Sequence, residues 1–79
     1  MYNYFMLIGI VEEVNNSYLK LKVKREFGAG EDYFKIMMFD FFIDLISETP
    51  LNGKKICIKG RMIQNETNLE LVAERIIFL

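Results

Sequence analysis

Two segments in the first half of the chain alternate between apolar and polar residues. From Ser17 to Arg25, one face carries Leu19, Leu21 and Val23, and the other carries Tyr18, Lys20, Lys22 and Lys24. From Tyr33 to Phe39, one face carries Phe34, Ile36 and Met38, and the other carries Tyr33, Lys35, Met37 and Phe39. A period of two residues is typical of a β-strand with one buried face. The glycine-containing loop between the two segments predicts that they form a hairpin.

The remaining apolar segments predict three further strands and one short helix. We expect the strands at Tyr4–Val14, Lys54–Gln64 and Leu69–Phe78. Apolar residues at positions 42, 45 and 46 follow a helical period over residues 40–48, with Asp40 as a suitable N-cap. The order of three strands, one helix and two strands predicts an all-β fold, a five-stranded barrel with its helix between strands 3 and 4. Residues 1–79 would form a single domain.

Composition narrows the functions that such a barrel can have. The chain has 79 residues, ten Lys and Arg against eleven Asp and Glu, and a formal net charge of −1. A site for a polyanion must therefore be a local patch. Seven Phe and four Tyr are many for so small an interior, so some rings are expected at the surface. The chain has no His, which disfavours an enzyme. Its single cysteine, Cys57, disfavours a disulfide framework and a multi-cysteine zinc site.

The polar faces of strands 2 and 3 combine lysines with aromatic rings. The faces coincide in the register that pairs Lys24 with Tyr33, Lys22 with Lys35, Lys20 with Met37, and Tyr18 with Phe39. That surface would contain no carboxylate. Ammonium groups follow phosphates and flat rings stack on bases, so the pattern predicts a site for single-stranded nucleic acid. The alternative is that the lysines are simply solvated, or protect a strand edge from aggregation.

Four segments resemble the single-stranded DNA-binding proteins of bacteria, which have an OB-fold. They are Asn3–Gly9, the aromatic and basic Tyr33–Phe39, the glycine-containing Ile58–Met62, and Val72–Leu79. These segments cover the chain in the order of the family's first, third, fourth and fifth strands. The resemblance implies that Phe27, Tyr33 and Phe39 stack on bases and that Lys35 contacts a phosphate.

The sequence also departs from the family pattern. The family usually has tryptophan at positions like 27 and 33, where this chain has Phe27 and Tyr33. The hairpin between strands 4 and 5 is reduced to Asn65–Asn68. The sequence ends at Leu79, so we expect a minimal core without the family's acidic C-terminal tail. The resemblance further implies a homodimer or homotetramer, formed through contacts of the apolar first strand.

Together these observations predict a non-enzymatic protein that binds single-stranded DNA with little sequence preference. The residues expected to bind nucleic acid are Tyr18, Lys20, Lys22, Lys24, Phe27, Tyr33, Lys35 and Phe39. No metal, cofactor or membrane partner is expected, and the location expected is cytoplasmic. The alternative function is an OB-fold module that binds a protein partner, or only oligomerises, within a replication or mobile-element complex.

Overall fold

Five strands account for most of the described residues. The computed structural model describes residues 3–39 and 50–79. The strands in this part are β1 (Tyr4–Val14), β2 (Tyr18–Lys24), β3 (Glu31–Met37), β4 (Lys55–Gln64) and β5 (Leu69–Phe78). The helix predicted over residues 40–48 lies outside the described residues and stays a prediction. In the described part, no helix is long and apolar enough to cross a bilayer.

The strands form one closed barrel in the order β1-β2-β3-β5-β4, with β4 paired back to β1. The first half of β1 pairs with β4, from Tyr4 opposite Arg61 to Ile10 opposite Lys55, and its second half pairs with β2. All neighbours are antiparallel except β3 and β5, which are parallel and pair at only two positions. The predicted all-β architecture of five strands is confirmed, since every predicted strand is present.

Two glycines allow strand backbones to approach more closely than a side chain would permit. A Cβ at Gly9 would collide with the carbonyl oxygen of Lys22 on β2. A Cβ at Gly60 would collide with the carbonyl oxygen of Val72 and lie 2.8 Å from the ring of Phe5. The β4–β5 register shifts between Lys59 and Gly60, so this glycine lies at an irregularity of the strand.

The inward residues follow the predicted alternation. The largest side chains that are fully buried are Val11, Leu19, Leu21, Ile36, Ile56 and Ile58. Met38, Leu51 and Ala73 complete the buried cluster. Phe5 and Phe34 are only partly buried and pack against this cluster, because the core is filled by the aliphatic residues. Among residues 3–39 and 50–79, the aromatic side chains therefore lie at the surface or at its margin.

The bounds of the third strand differ from the prediction. We expected Tyr33–Phe39, whereas β3 is Glu31–Met37. The loop before it is shorter than expected because the Arg25 backbone N–H donates to the carbonyl of Gly30 at 3.3 Å. Pairing therefore begins at once, with Glu31 opposite Lys24. Phe39 consequently lies beyond the end of the strand.

Replacing Gly60 with Ala should destabilise the fold, because the added methyl group meets backbone and not a movable side chain. We expect a loss of about 3 kcal/mol or more, at the upper end for overpacking. Gly28→Ala is the matched control: Gly28 has φ of 84° and open space around it, so only backbone strain of about 1 kcal/mol is expected. Urea unfolding of both variants measures the difference. Equal losses would contradict a steric role for Gly60.

Candidate nucleic-acid interface

The outer faces of β2 and β3 form a single surface, which we call the hairpin face. Its paired residues are Tyr18 with Met37, Lys20 with Lys35, Lys22 with Tyr33, and Lys24 with Glu31. The predicted register is therefore wrong by two residues, because the tight loop closes at Arg25 and Gly30. A shift of two preserves the side of the sheet on which each residue lies, so the predicted faces still coincide.

The shift changes the composition of the hairpin face at both ends. Glu31 joins it opposite Lys24, so the expectation of a surface without a carboxylate is wrong. Phe39 leaves the ladder but remains 58% exposed just after β3. Tyr33 is 54% exposed, Lys20 and Lys35 are exposed, and Tyr18 and Lys22 are half-buried. The structure therefore brings together Tyr18, Lys20, Lys22, Lys24, Tyr33 and Lys35, with Phe39 adjoining them.

Two cation–π contacts cross the hairpin diagonally. The Lys35 Nζ lies 4.3 Å from the centre of the Tyr18 ring, and the Lys20 Nζ lies 5.5 Å from the centre of the Tyr33 ring. Lys20 and Lys35 are direct partners, and like charges in that position repel each other. Each ammonium instead extends along the opposite diagonal and is attracted by a ring. Each strand of the hairpin thus contributes one lysine and one ring to these contacts, and the paired lysines lie between the two rings.

Lys22 has an acidic partner that the sequence pattern did not locate. Its Nζ lies 3.2 Å from the Glu12 carboxylate, and this hydrogen bond, with the nearby charge of Glu31, raises the pKa of Lys22. Glu12 reaches the hairpin face because the β1–β2 register shifts between Val11 and Glu13. Two adjacent glutamates between the inward Val11 and the half-buried Val14 were the available signal for this bulge.

Glu31 also orients an aromatic ring of the hairpin face. The Tyr33 hydroxyl donates a hydrogen bond to the Glu31 carboxylate at 3.3 Å. Partial loss of hydration raises the pKa of Tyr33, and the charge of Glu31 raises it further. Tyrosine, with an ordinary pKa of about 10, is protonated at neutral pH, so the phenol can donate this bond.

A short loop at the end of the hairpin displays Phe27, which is 84% exposed. The Arg25 guanidinium closes the base of this loop with bonds to both carboxylate oxygens of Asp32, the shortest being 2.8 Å. Gly28 and Gly30, with φ of 84° and 115°, supply the left-handed conformations of the turn. The loop places Phe27 beyond the end of the hairpin face, apart from the paired residues.

A second surface, the β1 row, runs along the outside of β1. Its members are Tyr4, Met6, Ile8 and Ile10, which are 60%, 59%, 46% and 38% exposed. The row meets the hairpin face where Ile10 lies opposite Lys22. On its other side, Lys55, Lys59 and Arg61 of β4 lie opposite its members. Exposed apolar residues in one continuous row are typical of an interaction surface.

Other candidate chemistry is weak in the described part of the chain. Residues 3–39 and 50–79 contain no group of three or more His, Cys, Asp or Glu that could hold a metal ion. On β4, the Arg61 guanidinium pairs with the Glu74 carboxylate of β5 at 2.9 Å, which neutralises part of the positive charge of that strand. Cys57 is buried, opposite Ile8 on β1 and Ile77 on β5.

Comparison with known proteins identifies structural relatives only. No family model matches the chain, and no curated protein matches it by sequence. The mitochondrial single-stranded DNA-binding protein of S. cerevisiae is similar, with a TM-score of 0.85 and 13% identity over 100% of this chain and 96% of that chain. The Plasmodium falciparum SSB, solved in complex with ssDNA, has a TM-score of 0.77 and 19% identity over 100% and 96%.

A third relative is the N-terminal domain of PriB from Thermoanaerobacter tencongensis, whose structure is dimeric. Its TM-score is 0.67 and its identity 21%, over 98% of this chain and 96% of that chain. These likenesses confirm the five-stranded OB-fold barrel expected from the sequence. The relatives belong to the class of protein that the sequence segments resemble.

Replacing Arg25 with Gln should raise the pKa of Asp32 toward its ordinary value of about 3.9, because the guanidinium bond holds it lower. The folded pKa of Asp32 is depressed, so the pair stabilises the fold above the ordinary pKa and loses this effect as pH falls through the depressed value. An NMR titration of the carboxyl groups measures the midpoint. Lys24→Gln, which removes a charge from the same hairpin end, is the control. An unchanged Asp32 midpoint in the Arg25 variant would contradict the contact.

Proposed function

We propose that this protein binds single-stranded DNA on the hairpin face, with little sequence preference and without catalysis. The observation that carries the proposal is the placement of two exposed lysines between two tyrosine rings, with which they make cation–π contacts. A polynucleotide without a partner strand offers phosphates and unpaired bases close together, which suits neighbouring cations and rings. Duplex DNA does not offer free base faces, so a stacking surface favours the single strand.

Binding would use the lysines and the rings together. The ammonium groups of Lys20 and Lys35 would leave the rings that they contact and neutralise phosphates. The uncovered rings of Tyr33 and Tyr18 would then stack on bases, each stack contributing about 1–3 kcal/mol. Phe39 and Phe27, both highly exposed, would extend the stacking at the two ends of the hairpin.

One feature supports DNA as the ligand, and a second limits the affinity for it. The Plasmodium SSB, which has the same fold, was solved with ssDNA. Glu12 and Glu31 place negative charge beside Lys22 and Tyr33, and a phosphate would have to approach these carboxylates. The hairpin face therefore suits a strand that binds and is released, instead of one held permanently.

Titration of a labelled oligo-dT at several salt concentrations tests the proposal. Four lysines on the hairpin face predict a log-log slope of about −2.8, from about −0.7 per phosphate neutralised. Replacing Lys20 and Lys35 with Gln should weaken binding and reduce the slope by about 1.4. Glu12→Gln should strengthen binding, because it removes a carboxylate that competes for Lys22. A flat salt response in the wild type would reject the phosphate contacts.

The stacking contribution is tested in the same titration. Replacing Tyr33 and Phe39 with Ala should reduce affinity by at least about fivefold, the loss expected for a single base stack. Tyr33→Phe keeps the ring and removes only the bond to Glu31, so its affinity should stay near that of the wild type. A folded double variant with unchanged affinity would reject stacking on these rings.

The β1 row favours a second function, which is association with another copy of the chain or with a protein partner. Four exposed apolar side chains lie side by side on one strand, and removing them from water would stabilise a complex. Of the homodimer and the homotetramer expected from the sequence, the dimeric PriB domain, which has the same fold, supports the homodimer. Association through β1 would leave most of the hairpin face open, so the two functions are compatible.

Ile8→Lys tests association through the β1 row, since Ile8 lies in its middle and is 46% exposed. We expect the mass measured by sedimentation to fall from that of an oligomer to that of a monomer. Ile63→Lys, a similarly exposed isoleucine on β4 outside the row, is the control and should leave the mass unchanged. A monomeric wild type, or an Ile8 variant of unchanged mass, would contradict this interface.

A further inference from the structure

The barrel has an open apolar cavity at one end, beside the hairpin face. Its volume is about 430 Å³. The apolar side chains that line it are Phe5, Leu7, Phe34, Met62, Leu69 and Leu71. Four of these, Phe5, Leu7, Phe34 and Leu71, are partly buried and pack against the core. The volume lies in the range of about 300–1,000 Å³ that is usual for small-ligand pockets.

The cavity opens where β3 and β5 separate. These strands pair only at Ile36 with Leu71 and at Met37 with Val72. Residues of β3 before Ile36 have no ladder partner on β5 in the described part of the chain. The β4–β5 hairpin turns beside this gap, where the Asn65 N–H donates to the Asn68 carbonyl at 2.8 Å. The gap therefore leads from the outside of β3 into the apolar interior.

Two residues belong both to the cavity and to the hairpin face. Tyr33 and Lys35 line the opening of the cavity, and both lie on the outer surface of β3. Lys35 is the one charged side chain among the described residues that line it. A ligand that enters from the hairpin face would therefore pass a ring and a cation before it meets apolar side chains. A nucleotide has this order of groups, with a charged phosphate outside and a flat base inside.

We propose that this cavity receives one base of the bound single strand, turned away from the stack on the hairpin face. The inference rests on the proposed function, because the strand must first lie along Tyr33 and Lys35. Lys35 would hold the phosphate at the opening while Phe34 and Leu71 contact the base. An unpaired base costs least to turn out, so this cavity selects a single strand over a duplex.

The cavity would accept the base by shape and not by its hydrogen-bonding edge. Of its two polar lining residues, Tyr33 already donates its hydroxyl proton to Glu31, and Lys35 is needed by the phosphate. Apolar side chains contact every base without distinguishing its edge. The cavity is therefore compatible with binding that tolerates different sequences.

Photocrosslinking of the intact protein to an oligo-dT containing 5-iododeoxyuridine tests this proposal. Light generates a radical on the base, which bonds to a neighbouring side chain, and mass spectrometry identifies the residue. Phe34 is the diagnostic residue, because it lines the cavity and packs against the core, whereas Tyr18, Phe27 and Phe39 are not among its lining residues and Tyr33 lies only at its opening. We expect crosslinks to Phe34 in addition to those on the hairpin face.

Two variants of the β4–β5 hairpin make the test specific. Leu69→Glu places a carboxylate at the edge of the cavity, where Leu69 is 64% exposed. It should abolish the Phe34 crosslink and weaken binding by about fivefold to 150-fold, the range for losing one base contact. Ile63→Glu adds the same charge to the same hairpin at a residue outside the cavity lining, and should change affinity by less than twofold.

The outcomes separate the two proposals. Absence of any oligo-dT binding rejects the proposed function itself. Binding with crosslinks only on the hairpin face, or equal effects of the two glutamate variants, leaves that function intact and overturns the cavity proposal. Thermal unfolding would reveal whether Leu69→Glu is folded. If it is not, the presence or absence of the Phe34 crosslink in the wild type still tests the cavity proposal.

Discussion

Closure of five short strands into a barrel is the constraint on which the other features depend. Strand β1 pairs with β4 along its first half and with β2 along its second, and Gly9 directly precedes Ile10, the residue that is paired with both neighbours. At Gly60 the backbone of β5 comes too close for any side chain. This closure leaves a small aliphatic interior, so aromatic rings are displaced outward. The exposure of aromatic rings in the described part of the chain is thus a consequence of the small size of the barrel.

The hairpin face follows from this displacement and from the position of a few cations. With a net charge of −1, the protein has no overall attraction for a polyanion. Lysines on β2 and β3 concentrate positive charge on one surface, while the acidic residues Glu12 and Glu31 limit it from the sides. The cation–π contacts partly offset the repulsion between Lys20 and Lys35 without a carboxylate between them. The centre of the surface can therefore stay cationic in the free protein.

The sequence predicted which side chains share a face better than it predicted which ones pair. Because side chains alternate with a period of two, Leu19 faces inward and Lys20 outward both in the predicted register and in a register shifted from it by two residues. The actual register depends on the Arg25–Asp32 contact and the glycine loop, which lie outside the alternating pattern. The ion pair between Glu12 and Lys22 depends on a bulge in β1. The cavity depends on how far β3 and β5 stay paired, and these strands are distant in sequence, so local patterns do not encode it.

Because Lys20, Lys22 and Lys35 each have a partner in the free protein, the proposed binding is an exchange of partners and not a simple gain of contacts. Lys22 must break its ion pair with Glu12 to bind a phosphate, so a phosphate contact at Lys22 adds little to the binding free energy. A lysine that leaves a tyrosine ring differs from this case, because the uncovered ring can then stack on a base. At Lys20 with Tyr33 and at Lys35 with Tyr18, one movement both delivers a cation to a phosphate and uncovers a stacking surface. Phosphate and base contacts are therefore coupled at these two pairs, which favours a ligand that presents both groups together.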